Sequence, residues 1–214
     1  MSKEKKGVNF KFVQLYNNFK NIDPISERIV TSLINLFDAG LNHLTFDVVG
    51  FSIGAQFAGY VGRKIRKRSE KILQRIVGLE PGIASPENLS SSDATFVMTI
   101  HTGNVFGETN VIGHVGFYPN GNSQPMCKRK LIFMNFDDPI CNHGQAQFYW
   151  IEAVKTKSAI LFPARKCDSF NEFVEKRCSK KVPIGYMNTK TSAALKGKYY
   201  LVTNSVSPFS KVEP

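Results

Sequence analysis

Apolar residues recur at helical spacing near the start of the chain and end at a glycine. Asp23 and Pro24 are typical of a helix start, as N-cap and first helical residue. Gly40 is typical of a helix stop. The apolar positions between them share one helical face and are Ile25, Ile29, Val30, Leu33, Ile34 and Phe37. The pattern predicts an amphipathic helix that begins at Asp23.

Beyond Gly40, short β-type runs alternate with helical ones. The predicted strands cover 45–49, 75–79, 95–102, 182–187 and 199–203, and the predicted helices cover 53–67, 142–154 and 170–177. Strands that alternate with helices indicate an α/β fold with a mainly parallel sheet.

Composition narrows the class of protein. The chain has 214 residues, and 42% of them are hydrophobic, which excludes a disordered protein. Its 28 Lys and Arg exceed 17 Asp and Glu, and the net charge of +11 suits an anionic lipid surface or a nucleic acid. No apolar run reaches the roughly 20 residues of a membrane span. The N-terminal segment of the chain is basic but lacks the apolar run of a secretory signal, so we expect no signal peptide in this chain.

Four cysteines lie in the second half of the chain, and they are Cys127, Cys141, Cys167 and Cys178. They allow three pairings, of which the sequential one closes two short loops. Disulfides are typical of oxidising compartments, which conflicts with the missing export signal. No cysteine or histidine spacing suits zinc, and we expect neither a metal nor a cofactor.

The strongest chemical signal is the run Gly-Phe-Ser-Ile-Gly at 50–54, where a predicted strand meets a predicted helix. In a nucleophile elbow the serine occupies a strained turn, and the flanking glycines avoid Cβ clashes. The helix N-terminus then favours the negative charge that develops during acyl transfer. Ser52 is therefore the candidate nucleophile, and the backbone N–H of Ile53 is a candidate oxyanion donor. The alternative is an ordinary Gly/Ser turn.

A serine nucleophile needs a base that is oriented by an acid, and in this fold class the chain order is Ser, acid, His. Glu80 follows a predicted strand, at a position where ligand-facing residues of parallel sheets lie. His143 stands beside Cys141 at the start of a predicted helix and is the candidate base. His101 and His114 lie within or beside β-type runs and are expected to be structural.

Several blocks in this order resemble one family. They are VGFSIGAQFAGYVG (49–62), RIVGLEPG (75–82), SDATFVMTIHT (92–102), IGHVGFYPNG (112–121), CNHG (141–144) and GKYYLVTNS (197–205). Together they resemble the neutral (pancreatic-type) lipases of animals, including their phospholipase A1 branch. The resemblance implies an α/β-hydrolase, a catalytic triad of Ser52, Glu80 and His143, and an extracellular location. It also pairs Cys127 with Cys141 at the base of a lid.

The chain departs from the family at several positions. Phe51 and Gln56 stand where the family usually has histidine, and Glu80 stands where it usually has aspartate. Of the aspartates in the family's calcium loop only Asp93 remains, so calcium is not expected.

Family members carry a longer segment before the nucleophile strand, with the first strands of the sheet and an oxyanion loop. The resemblance therefore implies a partial lipase-like α/β-hydrolase domain at 23–210, which follows a basic and polar segment at 1–22. One oxyanion donor, Ile53, remains, and a sheet edge is exposed. We expect this chain alone to aggregate and to show little lipolysis.

The segment between Cys127 and Cys141 corresponds to the family's lid and is short, which in the family accompanies phospholipase A1 activity. Its apolar members include Leu131, Ile132, Phe133 and Phe136. The alternative is a disulfide-closed surface loop. We predict hydrolysis of a phospholipid sn-1 ester or an acylglycerol at a membrane or lipoprotein surface. The other functional hypothesis is a lipid-binding or storage protein that keeps the fold and has weak or no turnover.

A run of basic residues lies at the C-terminal end of the predicted helix that follows Ser52. Its members include Arg63, Lys64, Arg66, Lys67 and Arg68. Cations there complement the helix dipole and are often only solvated. The alternative is a patch for an anionic surface. No nucleic-acid motif accompanies the run, so nucleic-acid binding is not expected.

Overall fold

The computed structural model describes residues 22–83, 88–131, 134–156 and 158–211. Its helices are α1 (Ile22–Asp38), α2 (Ile53–Ser69), α3 (Pro139–Thr156) and α4 (Phe170–Val174). None of the helices in these ranges is long and apolar enough to span a bilayer. The predicted segment 1–22 lies outside the described residues, apart from Ile22, which begins α1.

Seven strands form the main sheet, in the order β1-β2-β3-β4-β9-β7-β8. They are β1 (Asp47–Phe51), β2 (Arg75–Leu79), β3 (Phe96–Ile100), β4 (Val115–Pro119), β7 (Pro163–Lys166), β8 (Gly185–Tyr186) and β9 (Gly197–Leu201). Strands β1 to β4 and β9 are parallel, whereas β7 and β8 are antiparallel additions. The predicted α/β fold with a mainly parallel sheet is confirmed.

The predicted elements differ from the structure mainly at their ends. Strand β1 begins two residues late, because His43–Thr45 form a 3-10 turn capped by the side chain of Asn42. The predicted strand at 182–187 shortens to the two residues of β8. Strands β4 and β7 were not predicted.

Apolar side chains fill both faces of the sheet, because successive residues of a strand point to opposite sides. In β2, Val77 belongs to the cluster that packs against α3, whereas its neighbour Ile76 belongs to the cluster under α1 and α2. From α3 the first cluster includes Ala146, Tyr149, Trp150 and Ala153. From α1 and α2 the second includes Val30, Phe37, Ala58, Val61 and Ile65.

Strand β1 is less buried than the other parallel strands. Its pairing among the described residues is with β2, and Val49 is 45% exposed. By contrast, all five residues of β3 and all five of β4 are buried. Burial on both faces is typical of the inner strands of a parallel sheet, so β1 forms an edge of the described sheet.

Ion pairs join α1 to α2. Lys64 contacts the carboxylates of Asp23 (2.6 Å) and Glu27, and Arg68 contacts Glu27 (2.8 Å). Burial alone would lower the pKa of Lys64, but hydrogen bonds from its ammonium to Asp23 and Glu27 outweigh burial and raise it. Part of the predicted basic run therefore serves the contact between two helices.

Both disulfides follow the sequential pairing. Cys127 bonds to Cys141, and Cys167 bonds to Cys178, with Cα atoms 5.4 and 5.1 Å apart. The first bridge closes an antiparallel hairpin of β5 (Lys128–Leu131) and β6 (Met134–Asp137), which leads directly into α3.

Candidate active site

Ser52 occupies a sharp turn between β1 and α2. Its φ of 54° and ψ of −122° are strained for a residue with a side chain. The turn is held because the N–H of Ser52 donates to the carbonyl of Leu79 (2.8 Å), and the carbonyl of Ser52 accepts from Gly82 (3.1 Å). The hydroxyl makes no capping hydrogen bond to α2. The backbone thus has the conformation that a nucleophile elbow requires.

The two glycines of the motif have different roles. A Cβ on Gly50 would overlap the carbonyl group of Gly54 and the Cα of Ala55, so the start of α2 crosses directly over this residue. A Cβ on Gly54 would meet nothing within 4 Å outside its own helix. The expected clash therefore holds for the first glycine and not for the second.

The N–H of Ile53 lies at the first position of α2. The first four N–H groups of an α-helix have no carbonyl partner within the helix. This N–H therefore has the position expected of an oxyanion donor beside Ser52.

Glu80 follows β2 and lies beside Ser52 in the sheet. The register pairs Phe51 with Leu79, so the residues after the two strands are neighbours. The N–H of Glu80 donates to the carbonyl of Ile100 (2.7 Å), which ties the acid to β3. Glu80 has a φ of 43° and is fully buried.

Hydrogen bonds hold the carboxylate of Glu80. Thr102 donates both its backbone N–H and its hydroxyl (3.1 Å), and Gly103 donates its N–H (3.0 Å). A Cβ on Gly107 would overlap the carboxylate. Glutamate is one methylene longer than the aspartate that the family usually has at this position. It fits here because the neighbouring loop has a glycine at 107.

His143 lies in the first turns of α3 and faces Glu80. Its Nδ1 is 3.8 Å from Oε1 of Glu80, and among the described residues this buried nitrogen has no hydrogen-bond partner. The imidazole packs between the rings of Phe51 (centroids 4.8 Å apart) and Phe106 (5.6 Å). Phe51 directly precedes Ser52, so the imidazole of the candidate base lies against the residue before the candidate nucleophile and faces the candidate acid.

The other two downstream histidines are engaged elsewhere. His101 is fully buried, and its ring nitrogens contact the carbonyl of Glu108 (2.6 Å) and the hydroxyl of Thr99 (2.7 Å). Burial lowers the pKa of His101. The Nδ1 of His114 accepts from the N–H of Val97 (3.0 Å), and burial lowers its pKa as well.

Two buried glutamines support the site, and sequence analysis assigned neither a role. Gln56 donates to the carbonyl of Gly82 and accepts from the N–H of Leu89, so it holds both ends of the loop that follows Glu80. Gln124 bonds to Thr102 and Asn142. Since these contacts join residues far apart in the chain, no local pattern could identify them.

Asp93, which matches an aspartate of the family's calcium loop, forms an ion pair instead of an open carboxylate. The buried Asp93 contacts Arg63 at 2.7 Å and accepts from the N–H of Ser90 at 2.8 Å. The described ranges contain no group of three or more His, Cys, Asp and Glu that could hold a metal ion.

Exposed apolar side chains lie on the segments next to the site in the chain or in contact with them. Phe136 on the β5–β6 hairpin is 48% exposed, and Ile140 beside the disulfide is 75% exposed. Ile83 and Phe106 are exposed on adjacent loops, since the N–H of Ile83 donates to the carbonyl of Phe106 (3.3 Å). Of the predicted lid residues, Ile132 and Phe133 lie outside the described residues, as does the side chain of Leu131.

Known proteins with similar sequences carry lipase names. The Lipase family model matches residues 11–209. Lipase member H of Danio rerio is 28% identical over 213 residues, which cover 90% of this chain and 45% of that protein. Phospholipase A1 of Vespula squamosa is 29% identical over 202 residues, which cover 88% and 61%.

Pancreatic triacylglycerol lipase of Cavia porcellus is 32% identical over 175 residues, which cover 70% of this chain and 36% of that protein. The chain thus spans about half the length of the first two curated relatives. The family match extends from before α1 to the last described residues and includes the elbow, the acid loop and α3. On that match, the chain belongs to the Lipase family.

Proposed function

We propose that this chain hydrolyses carboxylic esters of lipids through Ser52, His143 and Glu80. The observation that carries the proposal is the strained Ser52 beside a buried Glu80 that faces His143 across 3.8 Å. Catalytic hydrogen bonds are often long without substrate and shorten in the reacting complex. A shift of about 1 Å would close this one to hydrogen-bonding distance.

In the proposed reaction, the hydroxyl oxygen of Ser52 attacks the ester carbonyl carbon, and its proton passes to His143. Glu80 accepts a hydrogen bond from Nδ1–H and stabilises the imidazolium that forms. The negative oxygen of the intermediate accepts from the N–H of Ile53. His143 then gives the proton to the departing alcohol, and water releases the acyl group from Ser52 by the same steps in reverse.

Exposed apolar side chains near the site favour a lipid as the substrate. The exposed Phe106 packs against His143, and the exposed Lys128 and Arg129 lie on the same hairpin as the exposed Phe136. Such a surface can insert into acyl chains while its cations meet lipid phosphates. We propose a phospholipid sn-1 ester or an acylglycerol, in line with the phospholipase A1 and triacylglycerol lipase names of the relatives.

The setting we propose is extracellular, at a membrane or lipoprotein surface, because two disulfides are typical of oxidising compartments. A further anionic-surface contact would use the basic run of α2. Lys64 and Arg68 pair with α1, and Arg63 pairs with Asp93. The anionic-surface contact therefore rests on the exposed Lys67 and on the exposed Arg66, which also donates to the carbonyl of Ser92 (2.7 Å).

Labelling with a fluorophosphonate tests the nucleophile, because the probe bonds only to an activated serine. We expect one adduct on Ser52, and Ser52→Ala should lose both the adduct and the hydrolysis of p-nitrophenyl butyrate. Ser205→Ala, which changes an exposed serine, is the control. Undiminished hydrolysis by Ser52→Ala would overturn the triad.

The substrate class is tested with phosphatidylcholine vesicles and a trioleoylglycerol emulsion. Release of the sn-1 fatty acid identifies a phospholipase A1, and release from the emulsion identifies an acylglycerol lipase. Binding to vesicles without a Ser52 adduct would instead support the lipid-binding alternative.

A further inference from the structure

One buried amide side chain connects the loops that hold the acid and the base. Gln124 is fully buried, and its Nε2 donates to the carbonyl oxygens of Thr102 (2.8 Å) and Pro119 (2.9 Å). Its Oε1 accepts from the hydroxyl of Tyr149 (2.8 Å) and the amide of Asn120 (2.8 Å). Both hydrogens and both acceptor positions of the side chain are thereby used.

Towards the acid, Gln124 acts through Thr102. The N–H and hydroxyl of Thr102 donate to the carboxylate of Glu80, and the carbonyl of the same residue accepts from Gln124. Thr102 is therefore held between the acid and the glutamine. A displaced Gln124 would allow Thr102, and with it the carboxylate, to move.

Towards the base, Gln124 acts through Asn142. Its backbone N–H donates to the side-chain oxygen of Asn142 (2.9 Å), which is buried and directly precedes His143 on α3. This contact fixes the first turns of the helix that presents the imidazole.

The disulfide at the base of the β5–β6 hairpin completes a closed ring. The carbonyl of Gln124 accepts from the N–H of Cys127 (3.0 Å), Cys127 is bonded to Cys141, and Cys141 precedes Asn142. Asn142 then returns to Gln124 through the hydrogen bond above. Covalent and hydrogen-bonded links thus join the hairpin to both sides of the proposed triad.

We propose that Gln124 is a positioning residue through which the disulfide-closed base of the hairpin sets the distance between Glu80 and His143. The inference rests on the proposed triad. Polar side chains that orient reacting groups are sensitive to small shifts, since a misplacement of about 1 Å can cost about 100-fold in rate. A merely structural Gln124 would contribute to stability and leave the rate constant unchanged.

The first test compares two buried amides. Gln124→Met keeps the length of the side chain and removes the side-chain hydrogen bonds to Thr102, Pro119, Asn120 and Tyr149, while the backbone contacts to Asn142 and Cys127 remain possible. Asn188→Leu is the matched control, because Asn188 is also fully buried and also donates to two backbone carbonyls, those of Ala159 (2.9 Å) and Leu161 (3.2 Å). Both variants should lower the melting temperature.

With p-nitrophenyl butyrate, Gln124→Met should lower the Ser52-dependent kcat about 10- to 100-fold with KM within about twofold. Asn188→Leu should leave kcat unchanged. An unchanged kcat in Gln124→Met would overturn the inference. Ser52→Ala, measured in parallel, reports separately on the triad, because its retained activity would refute the nucleophile and not the glutamine.

A double-mutant cycle tests the link to the disulfide. Cys127→Ser with Cys141→Ser should lower kcat in the otherwise unchanged chain and should have little further effect in the Gln124→Met background, because the side-chain link from residue 124 to Thr102 is already lost there. Effects on kcat that multiply would show that the disulfide and Gln124 act independently, against the proposal.

Amide hydrogen exchange gives a readout that needs no turnover. In Gln124→Met we expect faster exchange at residues 102–103, whose side-chain partner is lost. We expect it at 142–144 as well, because the lost bonds to Pro119 and Asn120 no longer hold the backbone N–H that donates to Asn142. In Asn188→Leu we expect faster exchange at neither segment. Faster exchange at one segment alone, or at neither, would overturn the link between acid and base.

Discussion

The nucleophile and the acid–base pair of the proposed triad are supported by different kinds of structure. Ser52 follows β1, an edge of the described sheet with a half-exposed Val49. Glu80 follows β2, which lies between β1 and the fully buried β3. Buried hydrogen bonds hold Glu80, whereas exposed ion pairs attach α1 to the helix that follows Ser52.

Because of this difference, the structure around Ser52 and the structure around Glu80 and His143 should be lost under different conditions. Exposed ion pairs weaken with salt and with protonation of their carboxylates, while buried hydrogen bonds are shielded from salt and respond mainly to loss of packing. An open strand edge can also pair with another chain. We therefore expect the nucleophile side to respond to solution conditions and the acid–base side to respond to buried substitutions.

The largest effect is expected from Gly50→Ala on the nucleophile side. The new Cβ would overlap the backbone of Gly54 and Ala55, so β1 and α2 must separate. We expect a loss of about 2–3 kcal/mol in the free energy of unfolding and no fluorophosphonate adduct on Ser52. Gly54→Ala is the matched control and should keep or slightly exceed wild-type stability in urea unfolding, because its Cβ meets open space and alanine is favoured over glycine in a helix. Equal stability of the two variants would contradict the crossing at Gly50.

On the acid–base side, Gly107→Ala should lower kcat about 100-fold, because its Cβ would displace the Glu80 carboxylate from His143. Gly144→Ala, beside His143 on α3, is the control, since its Cβ meets nothing within 4 Å outside its helix. Steady-state kinetics with a soluble ester would measure both. A Gly107→Ala enzyme with wild-type kcat would show that the carboxylate does not need its present position.

Local sequence patterns were sufficient to predict the elements that carry the proposed triad. The glycine-flanked Ser52 lies at a strand–helix junction, and Glu80 follows a continuous apolar run, so sequence analysis placed both correctly at strand ends. The resemblance to lipases supplied the disulfide at Cys127 and a role for His143. These features depend on residues that are close together in the chain.

Features that depend on distant contacts could not be predicted. All five residues of β4 (Val115–Pro119) are buried, so the strand has no polar–apolar alternation to mark it. Gln124 and Gly107 look like ordinary loop residues until the fold brings Thr102 and Glu80 beside them. The ion pairs of Lys64 could not be predicted either, because they join two helices that are separated in the chain by β1.

A charged residue on β1 tests whether this edge of the described sheet mediates association between chains. Val49→Lys places a cation on a half-exposed position of β1, where charge opposes edge-to-edge pairing. We expect less aggregate in size-exclusion chromatography and a change of at most about 0.5 kcal/mol in the free energy of unfolding. Val77→Lys, on the buried β2, should prevent folding. Undiminished aggregation of Val49→Lys would exclude β1 as the associating edge.

The smallest effect is expected from titration of the ion pairs between α1 and α2. Hydrogen bonds from Lys64 lower the pKa of Asp23 below 3.8 and that of Glu27 below 4.5. Because the folded-state pKa values are depressed, the pairs should stabilise α1 fully above about pH 4.5 and lose that contribution as pH falls through the lowered values.

Hydrogen exchange of α1 amides should therefore stay constant from about pH 6 to pH 5, after correction for the intrinsic rate, and rise in stronger acid. At pH 7, raising NaCl from about 0.05 to about 0.5 M should increase exchange slightly in α1 and not in α3, since exposed pairs are screened. Lys64→Met should remove most of both responses, because Lys64 contacts both Asp23 and Glu27. Equal responses of α1 and α3 in the unchanged chain would mean that buried packing, rather than surface charge, holds α1 against α2.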